Sequence, residues 1–406
     1  MRRAVIAFAL AAAFCGRPAP EKAQPAPAPA KPPAPPNLLE LRRGAAVVSR
    51  TGEALLTASA VRAIDGDIHT KWFSPPSDPQ QTIVFSLPGR SRLEQLGLQT
   101  GTNGAYTAEG VRFDLSADGE HFVTAATVSP KESDEPQLFR ISPTIASFVR
   151  VSVLGAKSNF AQIGSVHAVG ALLDSTNAGQ LDGCFSVNGF PSTFTQSGST
   201  VTGFVGGNDH TTFEGGTDGH FYRLAWIRGP QFGLAAMTVT PDGKHLSAIV
   251  WHEEAVQASQ FFADDLLGDR VPCSAAPEQP ALSVFRAYVE RFHYFPLFGL
   301  RFDDSGRLLE ADSAATLLRV TQFLIANPAL PVRFAAHELL QSTPDLNRRL
   351  AQARLDSLRA ALQKNGVNLA HVTFEAFGAE KPHREASIDL TRAMYSSIDL
   401  ELNVAR

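Results

Sequence analysis

Residues 63–72 read Ala63-Ile64-Asp65-Gly66-Asp67-Ile68-His69-Thr70-Lys71-Trp72, and the reading of the N-terminal half turns on them. Asp-Gly makes a tight turn, because glycine takes positive φ without a Cβ clash and aspartate bonds its own backbone two residues on. A tryptophan closing such a turn anchors a core beneath it. The corner therefore reads as a structural Asp-Gly turn over Trp72.

Outward from this corner, residues 38–172 alternate short apolar runs with turn signals, the rhythm of an antiparallel sandwich. Strands are expected at 82–87, 93–99, 110–116, 137–140, 148–154 and 163–169. The 63–72 stretch resembles the A-x-DG-x-x-x-T-x-W segment of discoidin or coagulation-factor C-type domains, and residues 81–87 resemble that family's next strand. Residues 113–122 resemble its S-x-DG-x-x-F/W hairpin, and Phe148-Val149-Arg150-Val151 with Gly170 complete the order. The resemblance implies a galactose-binding-like jelly roll that takes sugars or lipid head groups at loops on one end, many members holding a calcium ion. The resemblance implies that Asp65, Asp67 and the Thr70 carbonyl form the first half of that calcium site, as hard oxygen donors, while the family's acidic ligand near the last strand aligns here with Ser165. Sugar-binding loops would carry Phe73, Asn103, Tyr106 and Asn159, since an aromatic face suits a sugar's apolar side and amides suit its hydroxyls.

Residues 180–275 are glycine-rich and offer short β runs at 184–187, 192–196, 200–205, 210–214, 221–228, 232–238 and 246–251. Turns such as Pro241-Asp242-Gly243-Lys244 separate them, so a small antiparallel meander or barrel is expected. Cys184 and Cys273 bracket the unit; in an oxidising compartment they make a disulfide, the alternative being two buried thiols. His252-Glu253-Glu254 lacks the second histidine of a zinc helix motif and reads as a loop.

From residue 281 to 406 the pattern becomes α/β. A strand is expected at 296–302, and a helix from Asp312 or Ser313 to Asn327, where Pro328 stops it. A strand at 331–336 and a helix at 345–365 follow, the helix striped by Leu346, Leu350, Ala353, Ser357 and Ala361 and stopped by Gly366. Strands at 372–376 and 397–403 close the chain. Phe302-Asp303-Asp304-Ser305, residues 347–354 (NRRLAQAR) and Phe377-Gly378-Ala379-Glu380-Lys381-Pro382 resemble the opening turn, N-x-x-L-S-x-x-R-A helix and G-x-GE-x-x-P turn of OmpA-like peptidoglycan-binding domains.

That resemblance implies that Arg354, with Asn347 in the same motif, grips a carboxylate of the wall peptide, as a guanidinium fork does. Ala336-His337-Glu338-Leu339 places Leu339 where the family has aspartate, leaving Glu338 and His337 beside it, and Tyr395-Ser396-Ser397-Ile398-Asp399 lacks the family's two closing arginines. Peptidoglycan binding and a scaffold role toward an envelope protein partner are both open on these residues.

Arg2 and Arg3 before the apolar run 4–14 read as an export signal. Eleven residues reach about 16 Å as a helix, roughly half a bilayer core. Cys15 ends the run and resembles a lipoprotein's lipidated cysteine, which would anchor the chain to the periplasmic face of the outer membrane; cleavage near Ala13 would leave it soluble in the periplasm. Residues 16–37 are a proline-alanine tract, a semi-rigid spacer reaching on the order of 60 Å.

The chain has 406 residues, 44% of them hydrophobic and 19% charged, with a net charge of −4, enough apolar material for several cores. Its pI near 6.3 offers no concentrated basic surface for a nucleic-acid partner. No nucleophile elbow, phosphate loop or zinc spacing occurs, and no cofactor is required. A non-enzymatic glycan-binding protein of the cell envelope is the expected function.

Overall fold

The computed structural model describes residues 36–101, 103–174, 179–206, 210–252, 265–273, 283–380 and 388–403. Cys15, the tract to residue 35, Glu253-Glu254 and Lys381-Pro382 lie outside the described residues.

The first unit is a sandwich of strands β1 (Ala46–Arg50), β2 (Trp72–Phe73), β3 (Thr82–Gln99), β4 (Ala108–Ser116), β5 (Val123–Val128), β6 (Gln137–Ala156), β7 (Gln162–Ile163) and β8 (Ser165–Leu172). The main sheet runs β1-β3-β6-β4-β5, with β8 also on β3, and β2 pairs β7 as a separate ribbon. The runs expected separately at 82–87 and 93–99 are one strand whose register shifts between Ser86 and Ser91. The shift at Pro88-Gly89 lets β3 pair β1 with its first half and β8 with its second. The runs at 137–140 and 148–154 join in the same way as β6. Trp72, Phe85, Leu96 and Phe113 fill the interior with no exposed surface. Burying each phenylalanine contributes roughly 2–3 kcal/mol.

The second unit is a closed antiparallel barrel: β9 (Gly183–Val187), β10 (Phe190–Ser197), β11 (Thr200–Val205), β12 (Thr211–Thr217), β13 (Tyr222–Arg228), β14 (Gln231–Val239), β15 (His245–His252) and β16 (Leu266–Arg270). Strand β16 was not expected; its residues Gly268, Asp269 and Arg270 pair with Val187, Ser186 and Phe185 and close the ring. Inward residues of alternate register, among them Phe185, Phe194, Phe213, Tyr222, Trp226 and Met237, pack the lumen with side chains. Cys184 and Cys273 form a disulfide, with Cα atoms 5.3 Å apart.

The third unit contains α1 (Val284–Phe292), β17 (Tyr294–Pro296), α2 (Glu310–Ala326), β18 (Val332–His337), α3 (Pro344–Lys364), β19 (Val372–Gly378), α4 (Asp389–Tyr395) and β20 (Ile398–Leu402). Its sheet runs β17-β20-β18-β19, with β18 and β19 parallel. Three expectations change. The 296–302 strand stops at Pro296. Asp312 and Ser313 lie inside α2, which starts at Glu310. The buried face of α3 is Asn347, Ala351, Leu355, Leu358 and Leu362, with Ala361 beside it, while Leu346 is 39% exposed. Thr343 caps this helix by accepting from Leu346 N, with Pro344 in its first turn.

The barrel packs against both neighbours. Toward the sandwich, Val47 N donates to Ser247 Oγ at 2.9 Å and Arg62 pairs with Asp265 at 2.7 Å. Toward the α/β unit, Thr200 and Thr316 hydroxyls meet at 2.9 Å, Ser199 Oγ donates to Gly299 O at 2.8 Å, and Glu214 pairs with Arg319. Outward barrel residues Phe221, Ala225, Ile227 and Phe232 belong to one apolar cluster with the cores of both neighbours.

Candidate functional site

Three loops of the sandwich bring aromatic rings together. Phe73 ends the β2 ribbon, Tyr106 sits in the 3-10 turn Gly104–Tyr106, and Phe160 lies in the loop before β7. Tyr106 stacks on Phe160, centroids 4.4 Å apart and planes at 22°, while Phe73 stands edge-on to both at 6.4 and 5.9 Å. All three rings belong to half-buried residues, so a partly open aromatic platform results.

Asn103 and Asn159 flank the platform and are exposed. Asn103 Oδ1 accepts from Ala105 N at 3.3 Å and so caps the turn that presents Tyr106. Asn159 O accepts from Ser77 N at 2.7 Å, tying the Phe160 loop to the segment after Phe73. Of the expected sugar loops, Phe73 and Tyr106 therefore meet directly. Phe160 is the member that sequence reasoning missed, and its position next to Asn159 was the one available signal.

The Asp65 corner lies beside this ribbon and is a tight turn, with Gly66 at φ +77° and Trp72 fully buried. Asp65 Oδ1 accepts from Asp67 N at 2.9 Å and Oδ2 from the Thr70 hydroxyl at 2.7 Å. Asp67 Oδ1 accepts from His69 N. Burial pushes the Asp65 carboxyl up to about 7, against the pull of Arg62, whose Nη1 lies 3.8 Å from Oδ2. A guanidinium already holds positive charge at this pole, and the Ser165 hydroxyl bonds Gln99 Oε1 at 3.3 Å and His167 Nε2 at 2.8 Å. Both Asp65 oxygens thus accept bonds within the turn, and a calcium ion there would need oxygens beyond them.

In the α/β unit, Arg354 and Glu338 meet. The register of β18 against β19 shifts between Ala336 and His337, and Glu338 follows the shift with 1% of its surface exposed. Glu338 Oε1 accepts from Leu340 N at 3.0 Å, and Oε2 faces Arg354 Nη1 at 2.6 Å. Both residues line a cavity of about 460 Å³ between the barrel and the α/β unit, together with Arg223 of β13, Phe298, Ser396 and Ser397. Asn347 and His337 do not line it. Asn347 is buried and accepts from Gln341 N at 2.9 Å, fixing the loop before α3. The His337 ring stacks on Phe377 at 5.4 Å. A smaller cavity of about 300 Å³ in the sandwich is lined by Ser116, Asp118, His121 and Thr144 and lacks the aromatic platform.

Residues 47–167 match the F5/8 type C domain family. Similar solved structures each cover about a third of this chain. One is the C-terminal domain of a chitobiase from Bacteroides fragilis, 22% identical, covering 33% of this chain and 97% of its own, with a TM-score of 0.31. Another is a family 32 carbohydrate-binding module of NanJ from Clostridium perfringens in complex with galactose, 20% identical, covering 31% and 94%, with a TM-score of 0.29. A third is a module from the same organism in complex with GalNAc-β-1,3-galactose, 19% identical, covering 33% and 99%, with a TM-score of 0.29. No curated protein matches the chain. Among the described residues, no helix is long and apolar enough to cross a membrane.

Proposed function

We propose that this chain is a non-enzymatic cell-envelope protein that binds a glycan through its F5/8 type C domain, at the Phe73–Tyr106–Phe160 platform. The observation that carries the reading is the convergence of three half-buried rings from separate loops on one end of the domain. Rings held in place by one another and bordered by exposed amides lose little freedom on binding a sugar's apolar face. The match of residues 47–167 to the F5/8 type C domain family, a resemblance that implies sugar or head-group binding at such loops, supports it. The test is a glycan array probed with the full chain: retention on a defined set of sugars supports the reading, and no retention on any sugar contradicts it.

The C-terminal unit is assigned to peptidoglycan association, supported by Arg354 and Glu338 meeting in a cleft. The arginines before the apolar run and Cys15 after it support export and a lipid anchor on the periplasmic face of the outer membrane. A scaffold role for the same unit is the alternative, and pelleting with purified sacculi separates the two.

A further inference from the structure

We propose that the barrel is part of the C-terminal binding site: Arg223 of β13 and Arg354 of α3 together receive one carboxylate of a small zwitterionic ligand, the end of an amino acid or short peptide. The inference rests on reading the 460 Å³ cavity as a ligand site, and adds to it a residue and a domain.

Arg223 points outward from the barrel, since its neighbours Tyr222 and Leu224 fill the lumen. Its Nη1 donates to Ser396 O at 2.7 Å and Ala393 O at 3.2 Å, the carbonyls ending α4, and its guanidinium lies 5.3 Å from the Phe298 ring. Its Nε is buried without a hydrogen-bond partner among the described residues, and no described carboxylate pairs with it directly. Arg354 repeats the situation from the other wall: Nη1 pairs with Glu338, while Nε is buried without a partner. Two guanidinium groups from two domains thus leave N–H donors unsatisfied around one cavity. A buried donor without a partner is costly, and an acceptor entering beside it relieves that cost. Burial lowers the pKa of Arg223, against the pull of Asp218, Glu338 and Asp399 and with the repulsion of Arg354 across the cavity.

The sign pattern narrows the ligand. Glu338, Asp218, Asp303 and Asp304 line the same cavity, with Arg301 as a third arginine. A doubly charged phosphate would meet these carboxylates, whereas a single carboxylate carried beside an ammonium matches both signs. Two forked guanidinium groups on one carboxylate give the geometric selectivity that a lysine lacks.

The experiment uses the full chain with two probes: purified sacculi by co-sedimentation, and alanyl-alanine against alanyl-alanine amide by calorimetry. The variants are Arg223→Lys, which keeps a charge and a donor for the α4 carbonyls, Arg223→Gln, and Arg354→Ala, each checked for an unchanged melting temperature. The free dipeptide should bind and the amide should not. Arg223→Lys should weaken dipeptide binding about tenfold and Arg354→Ala at least as much. If sacculi pellet the protein in an Arg354-dependent way while Arg223→Lys binds both probes like wild type, Arg223 only caps α4 and the inference is overturned, with the wall reading intact. If the dipeptide binds through both arginines but sacculi do not pellet the protein, the inference holds and the wall reading fails. Binding of neither probe overturns both.

Discussion

Tyr106 and Phe160 stack at 4.4 Å although they come from different loops, and Phe73 closes the third side of the cluster. Each ring is held by the other two, so removing one should loosen the whole platform without opening the core, where Trp72 and Phe113 sit.

The contact between sandwich and barrel centres on Arg62. Its guanidinium bonds Asp265 at 2.7 Å, and Ser59 Oγ donates to the same carboxylate at 2.8 Å. Asp265 has no exposed surface, and burial raises its pKa. Arg62→Met leaves that carboxylate uncompensated and should cost about 3–5 kcal/mol in denaturant unfolding. A loss under about 1 kcal/mol would mean that the pair does not hold the two units together.

The Cys184–Cys273 disulfide ties the start of β9 to the segment after β16, where the barrel closes, across a separation of 89 residues. Closing a loop of that size restricts the unfolded chain, so Cys184→Ser with Cys273→Ser should lower stability by about 2–5 kcal/mol. Reduction of the wild type should give the same loss, and unchanged melting in both would contradict the account.

His167 of β8 is pushed down to about 4 by burial. A histidine depressed in the fold stays neutral while the unfolded chain takes up a proton. Its contribution is therefore fully present above about pH 6.5, is lost as the pH falls toward 4, and changes no further below that. The loss should amount to about 3 kcal/mol, and His167→Gln should flatten the stability profile between those two pH values. A profile equally steep in the variant would assign the acid sensitivity to other groups.

Local chemistry made the sandwich readable: Asp65-Gly66 could only turn, and Trp72 could only be core. Pairing over distance was not readable. The five residues of β16 carry no alternation of their own, and they become a strand only because β9 and β15 leave two open edges. Phe160 stands alone in a polar loop, without a periodicity to betray that it stacks on Tyr106. The α3 stripe was read one position off because Asn347 is polar yet buried, its amide being needed to hold Gln341 N. Glu338 seemed misplaced by one residue until the register shift at the end of β18 carried it to Arg354. Arg223 had no sequence signal at all, since its role depends on how the barrel docks.

The central claim is glycan binding at the aromatic platform, and the most direct measurement is calorimetric titration of the full chain with galactose- and N-acetylhexosamine-terminated oligosaccharides. Tyr106→Ala and Phe160→Ala are compared with His121→Ala in the other sandwich cavity. The account predicts that either ring truncation weakens binding about tenfold or more, while His121→Ala binds like wild type. Full affinity in both ring variants, or a loss confined to His121→Ala, would contradict it.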